Sequence, residues 1–282
     1  MNVDLKRAGA FLAGHGRVLD RRRFELLVGK GNPEAVLAAV DGYRNADGGY
    51  GWGLEPDLRA GESQPGGALH AFEVFAEVAP VTTPRAKELC DWLDETTLED
   101  GGLPFALPVK DSTGCAPFWA QADPTVSTLQ STAFAAGTAH RVAKHDPAVQ
   151  GHRWLARATE YCLKSIAALE EQPHAIELSF AVKFLDAVGD EELLTRLGRF
   201  VPADGLVPVA GGSVGETLRG LDFAPVVSEE VIEAELDRLA SRQQEDGGWT
   251  VDFASFSPAA ALEWRGYATV LAVSTLKRAG RL

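Results

Sequence analysis

The chain has 282 residues, 45% hydrophobic and 24% charged, enough for one domain (1–282) with a sizeable core. A formal charge of −13 and a pI near 4.9 argue against nucleic acid or anionic lipid as a partner, since phosphate-rich surfaces attract basic patches. No apolar run is long enough for a membrane span, no secretory signal opens the chain, and Cys90, Cys115 and Cys162 form no CxxC pair, so the expectation is a soluble, cytoplasmic protein.

Helix-like segments then follow one another: near 4–14, 32–44, 66–79, 84–97, 126–143, 150–170, 174–188, 190–199, 214–222, 228–243 and 259–279. Between the first two, Arg21, Arg22 and Arg23 read as a solvated helix face. Segments 84–97 and 228–243 carry charge on one side and apolar residues three or four apart, the pattern of a half-exposed helix. Segments 126–143 and 259–279 are almost uncharged and rich in small residues, as befits an interior. Leu206 to Val209 is too short, and too interrupted by proline, for a useful strand.

A repeat punctuates these helices. Asp-Gly-Gly plus an apolar residue occurs at Asp47-Gly48-Gly49-Tyr50, Asp100-Gly101-Gly102-Leu103 and Asp246-Gly247-Gly248-Trp249, with a weaker copy at Asp204-Gly205-Leu206. Glycine permits the positive φ that ends a helix, and aspartate bonds local backbone donors. Exposed and buried helices alternating about such loops predict an all-α fold, a double-layered (α/α) toroid of about five to six hairpins. An open solenoid would produce a similar pattern.

Arg242-Gln243-Gln244-Glu245-Asp246-Gly247-Gly248-Trp249 resembles the QW-type repeat of squalene-hopene cyclases and related prenyltransferase-like proteins. Asn45 to Trp52 and Leu98 to Leu103 look like degenerate copies. The resemblance implies a toroid and an isoprenoid-processing activity, cyclising or isomerising a hydrophobic substrate by carboxylic-acid protonation. It does not supply the catalytic motif: the chain has no DxDD, no DDxxD and no prenyltransferase-type zinc set. It therefore implies a divergent, single-domain member.

Candidate site residues concentrate before the buried helices. In Gly53-Leu54-Glu55-Pro56-Asp57-Leu58-Arg59 two carboxylates lie within reach of an arginine. An acid that protonates an alkene must stay neutral until it acts, and a neighbouring carboxylate or burial keeps it so. Asp57 is the first candidate acid, Glu55 its partner and Arg59 an anion clamp; alternatively Arg59 merely stiffens the loop. Asp123, before the segment at 126–143, is a second candidate acid, or simply an N-cap followed by proline. Trp52, His70, Glu73, Phe134, Glu263, Trp264 and Arg265 are candidate substrate-binding residues. Charges inside the last helix are costly unless paired, and Glu55, Asp57 and Asp252 are possible partners. His70-x-x-Glu73 and His174-x-x-Glu177 each place two ligand types on one helix face, so a divalent metal is a secondary possibility, with no cofactor expected. Phe72, Phe134, Phe180, Trp264 and Tyr267 would stabilise cationic intermediates, or simply fill the core. The competing functions are a non-catalytic toroid holding a lipid or peptide, and a toroidal enzyme of other acid–base chemistry.

Overall fold

Most of the long helices begin where the sequence supplies an acceptor for orphan backbone N–H groups. In the computed structural model, which describes residues 3–282, Asp4 caps α1 (Leu5–His15), Asn32 caps α3 (Pro33–Val40), Thr83 caps α5 (Pro84–Thr96) and Thr128 caps α7 (Leu129–Ala143). Helices α2 (Val18–Leu27) and α4 (Pro65–Glu77) have no side-chain cap, but proline opens α4. After the short α6 (Pro117–Ala120) and α8 (Pro147–Gln150) come α9 (Arg153–Ala167), α10 (Ala175–Val188), α11 (Glu191–Gly198), α12 (Glu229–Ser241) and α13 (Pro258–Arg278). The fold is thus mostly helical. Among the described residues the paired strands are two short antiparallel ladders, Leu103–Pro104 with Ser127–Thr128 and Val207–Pro208 with Thr217–Leu218, besides isolated bridges at Arg44–Tyr50 and Leu58–Cys115.

Packing follows the apolar faces. Helix α4 lies on α7, α7 on α10, and α10 on a 3-10 turn at Gly220–Val226 that meets α12. Helix α12 contacts α13, α13 contacts α1 and α2, α2 contacts α3, and α3 contacts α4. Helices α5 and α9 pack on each other and on α4 and α7 respectively. The larger core cluster centres on α4, α5, α7, α9 and α10; a second one joins Phe11, Leu12, Phe24, Leu236, Trp249, Val270 and Leu276 from α1, α2, α12, α13 and the last Asp-Gly-Gly loop.

Those loops share one geometry. Asp47, Asp100 and Asp246 each accept from the N–H two residues on, at 2.9 to 3.0 Å. The first glycine of each has φ between 92° and 94°, a region that L side chains avoid. A Cβ on it would lie 3.1 Å from the Glu88 carbonyl oxygen (Gly48), 3.2 Å from that of Arg157 (Gly101) and 2.3 Å from that of Arg7 (Gly247). A Cβ on the second glycine would strike the side chain four residues further along the same helix: Trp92, Tyr161 or Phe11. Each loop is therefore seated on a neighbouring helix, α5, α9 and, for the last one, α1. The weaker copy follows suit: Gly205, at φ 71°, sits against Val231 of α12.

Helices α2, α6 and α8 were not among the expected segments. The reading of Arg21 to Arg23 as a solvated face also needs correction, because Arg23 is buried on α2 with 3% exposure and is ion-paired to Glu77. The expected segment at 214–222 is instead a strand and the 3-10 turn. Asp123 caps no helix; α7 starts at Leu129 under Thr128.

Candidate functional site

The segment between the first Asp-Gly-Gly loop and α4 folds back on itself, the Leu58 N–H bonding the Glu55 carbonyl. This turn delivers Glu55 and Asp57, with 7% and 6% exposure, to the junction of α2, α4 and α13. The Asp57 carboxylate accepts from the Phe256 N–H at 2.8 Å and from the Trp264 indole N–H at 2.7 Å. Its backbone carbonyl accepts from the Ala116 N–H. Burial pushes the Asp57 carboxyl above the ordinary carboxylate range; the two N–H donors pull against this, and the charge of Glu55 adds to it.

Next to it, the His70 imidazole bridges two acids. Its Nε2 lies 3.1 Å from Glu55 and its Nδ1 3.0 Å from Glu73. Burial opposes its charge, but the hydrogen bonds to Glu55 and Glu73 prevail and its pKa is pushed up to about 9. The ring is thus an imidazolium at neutral pH. Glu73 is held down to about 2: burial would raise it, and His70, Arg23 and the Tyr267 hydroxyl outweigh that. Tyr267 donates to Glu73 at 2.8 Å, and Arg23 lies over the Tyr267 ring while pairing with Glu77 at 2.6 Å. On the same helix the fully buried Asp20 pairs with Arg17 at 2.9 Å. A Cβ at Gly266 of α13 would come within 2.7 Å of the Asp20 carboxylate, so only glycine lets the two helices approach this closely.

Aromatic rings border these charges. The Trp264 ring lies 5.2 Å from Phe253, 5.5 Å from Tyr267 and 6.0 Å from His70, all edge to face. Phe256, beside the N–H that bonds Asp57, is half exposed.

Of the residues singled out from the sequence, Glu55, Asp57, His70, Glu73 and Trp264 meet here. Arg59 and Glu263 pair with each other at the edge of the group, so neither Glu55 nor Asp57 is the arginine's partner. Arg265 faces elsewhere: it pairs with Asp246 at 2.8 Å and lies over the Phe11 ring, locking the last Asp-Gly-Gly loop onto the helices beneath it. Asp123 is exposed and apart, its carboxylate held low by the Thr125 hydroxyl and N–H. Phe134 is core, 5.3 Å from Phe180. Trp52 is 61% exposed. His174 caps α10 and contacts the Ala210 carbonyl. No group of three or more metal-ligating side chains occurs among the described residues, and no helix there is long and apolar enough to cross a membrane.

Sequence reasoning did not single out Arg17, Asp20, Glu77, Phe253 or Phe256, and it took Arg23 for a solvated residue. The one available signal was the charge density of Arg17 to Arg23 beside apolar Leu19 and Phe24, which a buried ion-pair face shares with a solvated one.

No family model and no curated protein matches the chain. Among solved structures it is similar to a protein from Actinoplanes known from its crystal structure, with 15% sequence identity and a TM-score of 0.58. The alignment covers 97% of this chain and 98% of that one. At such identity the likeness is one of fold.

Proposed function

We propose that the helical hairpins close into an (α/α) toroid, and that the toroid is an isoprenoid cyclase or isomerase with Asp57 as its acid. Closure is supported by the cycle of helix contacts from α4 through α13 and α2 back to α4, and by the last Asp-Gly-Gly loop seating on the first helix.

The observation that carries the activity is the environment of Asp57. Burial beside Glu55 favours its protonated form, which an alkene-protonating acid needs at rest. When the O–H proton moves to an alkene carbon, the π electrons form the new C–H bond and the carboxylate inherits the negative charge. The Phe256 and Trp264 N–H groups already point at it and stabilise that charge without reorganisation. Trp264, Phe253 and Tyr267 gather aromatic rings around the acid, and ring faces stabilise the resulting cation, which ends by losing a proton or capturing water. The His70 imidazole, 3.1 Å from Glu55, offsets part of the Glu55 charge and so limits how far that charge raises Asp57.

The test is incubation with squalene and with C15 to C20 polyprenols in D₂O, followed by mass spectrometry of the extracted hydrocarbons. The expected result is a cyclised or double-bond-shifted product carrying one deuterium, formed about 10²- to 10⁴-fold more slowly by Asp57→Asn. Absence of product from the folded protein, or an Asp57→Asn variant as fast as the parent, overturns the assignment.

A further inference from the structure

A second surface lies outside the Asp57 group and does not depend on its reading. Beside the first Asp-Gly-Gly loop is a cleft of about 750 Å³, whose lining includes Asp47, Trp52, Glu62, Lys110, Asp111 and Thr113. Trp52 is its unusual feature. It is 61% exposed, yet its backbone adopts φ 57°, a left-handed conformation that a bulky residue avoids. Nothing in the core needs an indole there, so strain and exposure are tolerated together at one residue.

The side chain is nonetheless fixed. Its Nε1 donates to Asn45 Oδ1 at 2.7 Å, and the Asn45 amide is anchored on the Gly61 carbonyl at 2.8 Å and the Ser63 hydroxyl at 3.0 Å. A Cβ built on Gly61 would sit 3.3, 3.4 and 3.5 Å from three consecutive carbons of the six-membered ring. Such near-equal distances place Gly61 over one ring face rather than at its edge. The opposite face is the exposed one: a flat, rigid, apolar platform. Around it stand groups of both hydrogen-bonding senses, the carboxylates of Asp47, Glu62 and Asp111 with the Lys110 ammonium and the Thr113 hydroxyl. Asp47 spends only its Oδ1 on the Gly49 N–H and the Ser63 hydroxyl. Arg59, also at the cleft, is held by Glu263.

We infer that this cleft binds a neutral saccharide. A pyranose has one face of C–H groups, which stacks on an indole, and a rim of hydroxyls, each both donor and acceptor. The mixed rim suits those hydroxyls. Three carboxylates against one uncommitted lysine disfavour sulfated or uronic sugars. A hydrocarbon would leave the rim groups desolvated and unpaired.

The probes are neutral tetrasaccharides of glucose (α- and β-linked), xylose, mannose and N-acetylglucosamine, titrated calorimetrically and by saturation-transfer NMR. At least one is expected to bind at millimolar concentration or below. Trp52→Ala is expected to weaken that binding about tenfold or more, and Trp52→Phe only a few-fold. Trp52→Gly supplies the folding control, because glycine accepts the left-handed backbone; it should keep the parent's Tm and lose the sugar. The inference is overturned if none of the sugars binds at about 10 mM, if binding survives Trp52→Gly, or if choline rather than a sugar binds in a Trp52-dependent way.

Discussion

The side-chain amide of Gln243 grips the backbone of Asp4 from both ends: its Oε1 accepts from the Asp4 N–H at 2.8 Å and its Nε2 donates to the Asp4 carbonyl at 2.9 Å. The pair joins residues 239 apart, the approach to the last Asp-Gly-Gly loop with the N-cap of the first helix. Replacement by alanine removes these two bonds and a third, from Nε2 to the Gly247 carbonyl at 2.9 Å, and should lower stability by about 1 to 2 kcal/mol in urea unfolding. Gln243→Glu should cost more, since it loses the donor and sets a carboxylate against the Asp4 carbonyl.

Gly48, Gly101 and Gly247, the first glycines of the three Asp-Gly-Gly loops, should respond to alanine in a fixed order. All have positive φ, which alone costs about 1 kcal/mol or more. The Cβ of alanine at 247 would in addition overlap the Arg7 carbonyl at 2.3 Å, against 3.1 Å for Gly48 and 3.2 Å for Gly101. Gly247→Ala should therefore be the most damaging, by about 3 kcal/mol or more, with the other two near 1 to 2 kcal/mol. Equal melting shifts for all three would contradict the seating of the last loop on α1.

The His70 bridge sets a pH dependence. Its folded pKa, about 9, lies above the ordinary 6.5, so the folded state binds the proton more tightly. Its stabilisation is complete below about pH 6.5 and disappears as pH rises through 9. The span corresponds to an order of 3 kcal/mol. Glu73 acts in the opposite sense: its contribution is present above about 4.5 and lost as pH falls through 2. Urea midpoints should fall from pH 6.5 to 9, and in His70→Gln that alkaline slope should flatten. A variant with the parent's slope would remove the imidazolium from the account.

Arg23 and Glu77 form the ion pair that replaces the expected solvated face. Arg23→Met leaves Glu77, itself largely covered, without its cation and should cost about 3 kcal/mol. Adding Glu77→Gln should recover part of that loss. A double-mutant cycle measures the coupling, and additive losses would show that the pair contributes little.

Much of the helical layout could be read from the sequence because its signals are local. Asparagine, serine, threonine and proline mark helix starts, and an aspartate before two glycines marks a turn that few other residues can make. Glu55 with Asp57, and His70 with Glu73, were also recognisable as pairs, being two and three residues apart. What the sequence did not reveal is partnership at long range. Arg23 looks solvated until Glu77, 54 residues on, is placed beside it. Arg265 looks like a site residue until Asp246 is found to hold it. Trp264 was visible as an aromatic on a helix expected to be interior, but its bond to Asp57 spans 207 residues and no spacing rule predicts it.

The seating of the last loop on α1 has a kinetic consequence. Phe11 and Leu12 join a cluster whose other members include Trp249, Val270 and Leu276, so α1 leaves the ribosome long before most of its partners exist. The hairpins from α4 to α10 can condense while synthesis continues, since their contacts are between near neighbours in the chain. The first helix cannot. Part of its apolar face packs early on Phe24 of α2, but the rest must wait for about 240 residues to be made, at roughly 5 to 20 residues per second, so α1 stays incompletely covered longer than any other helix.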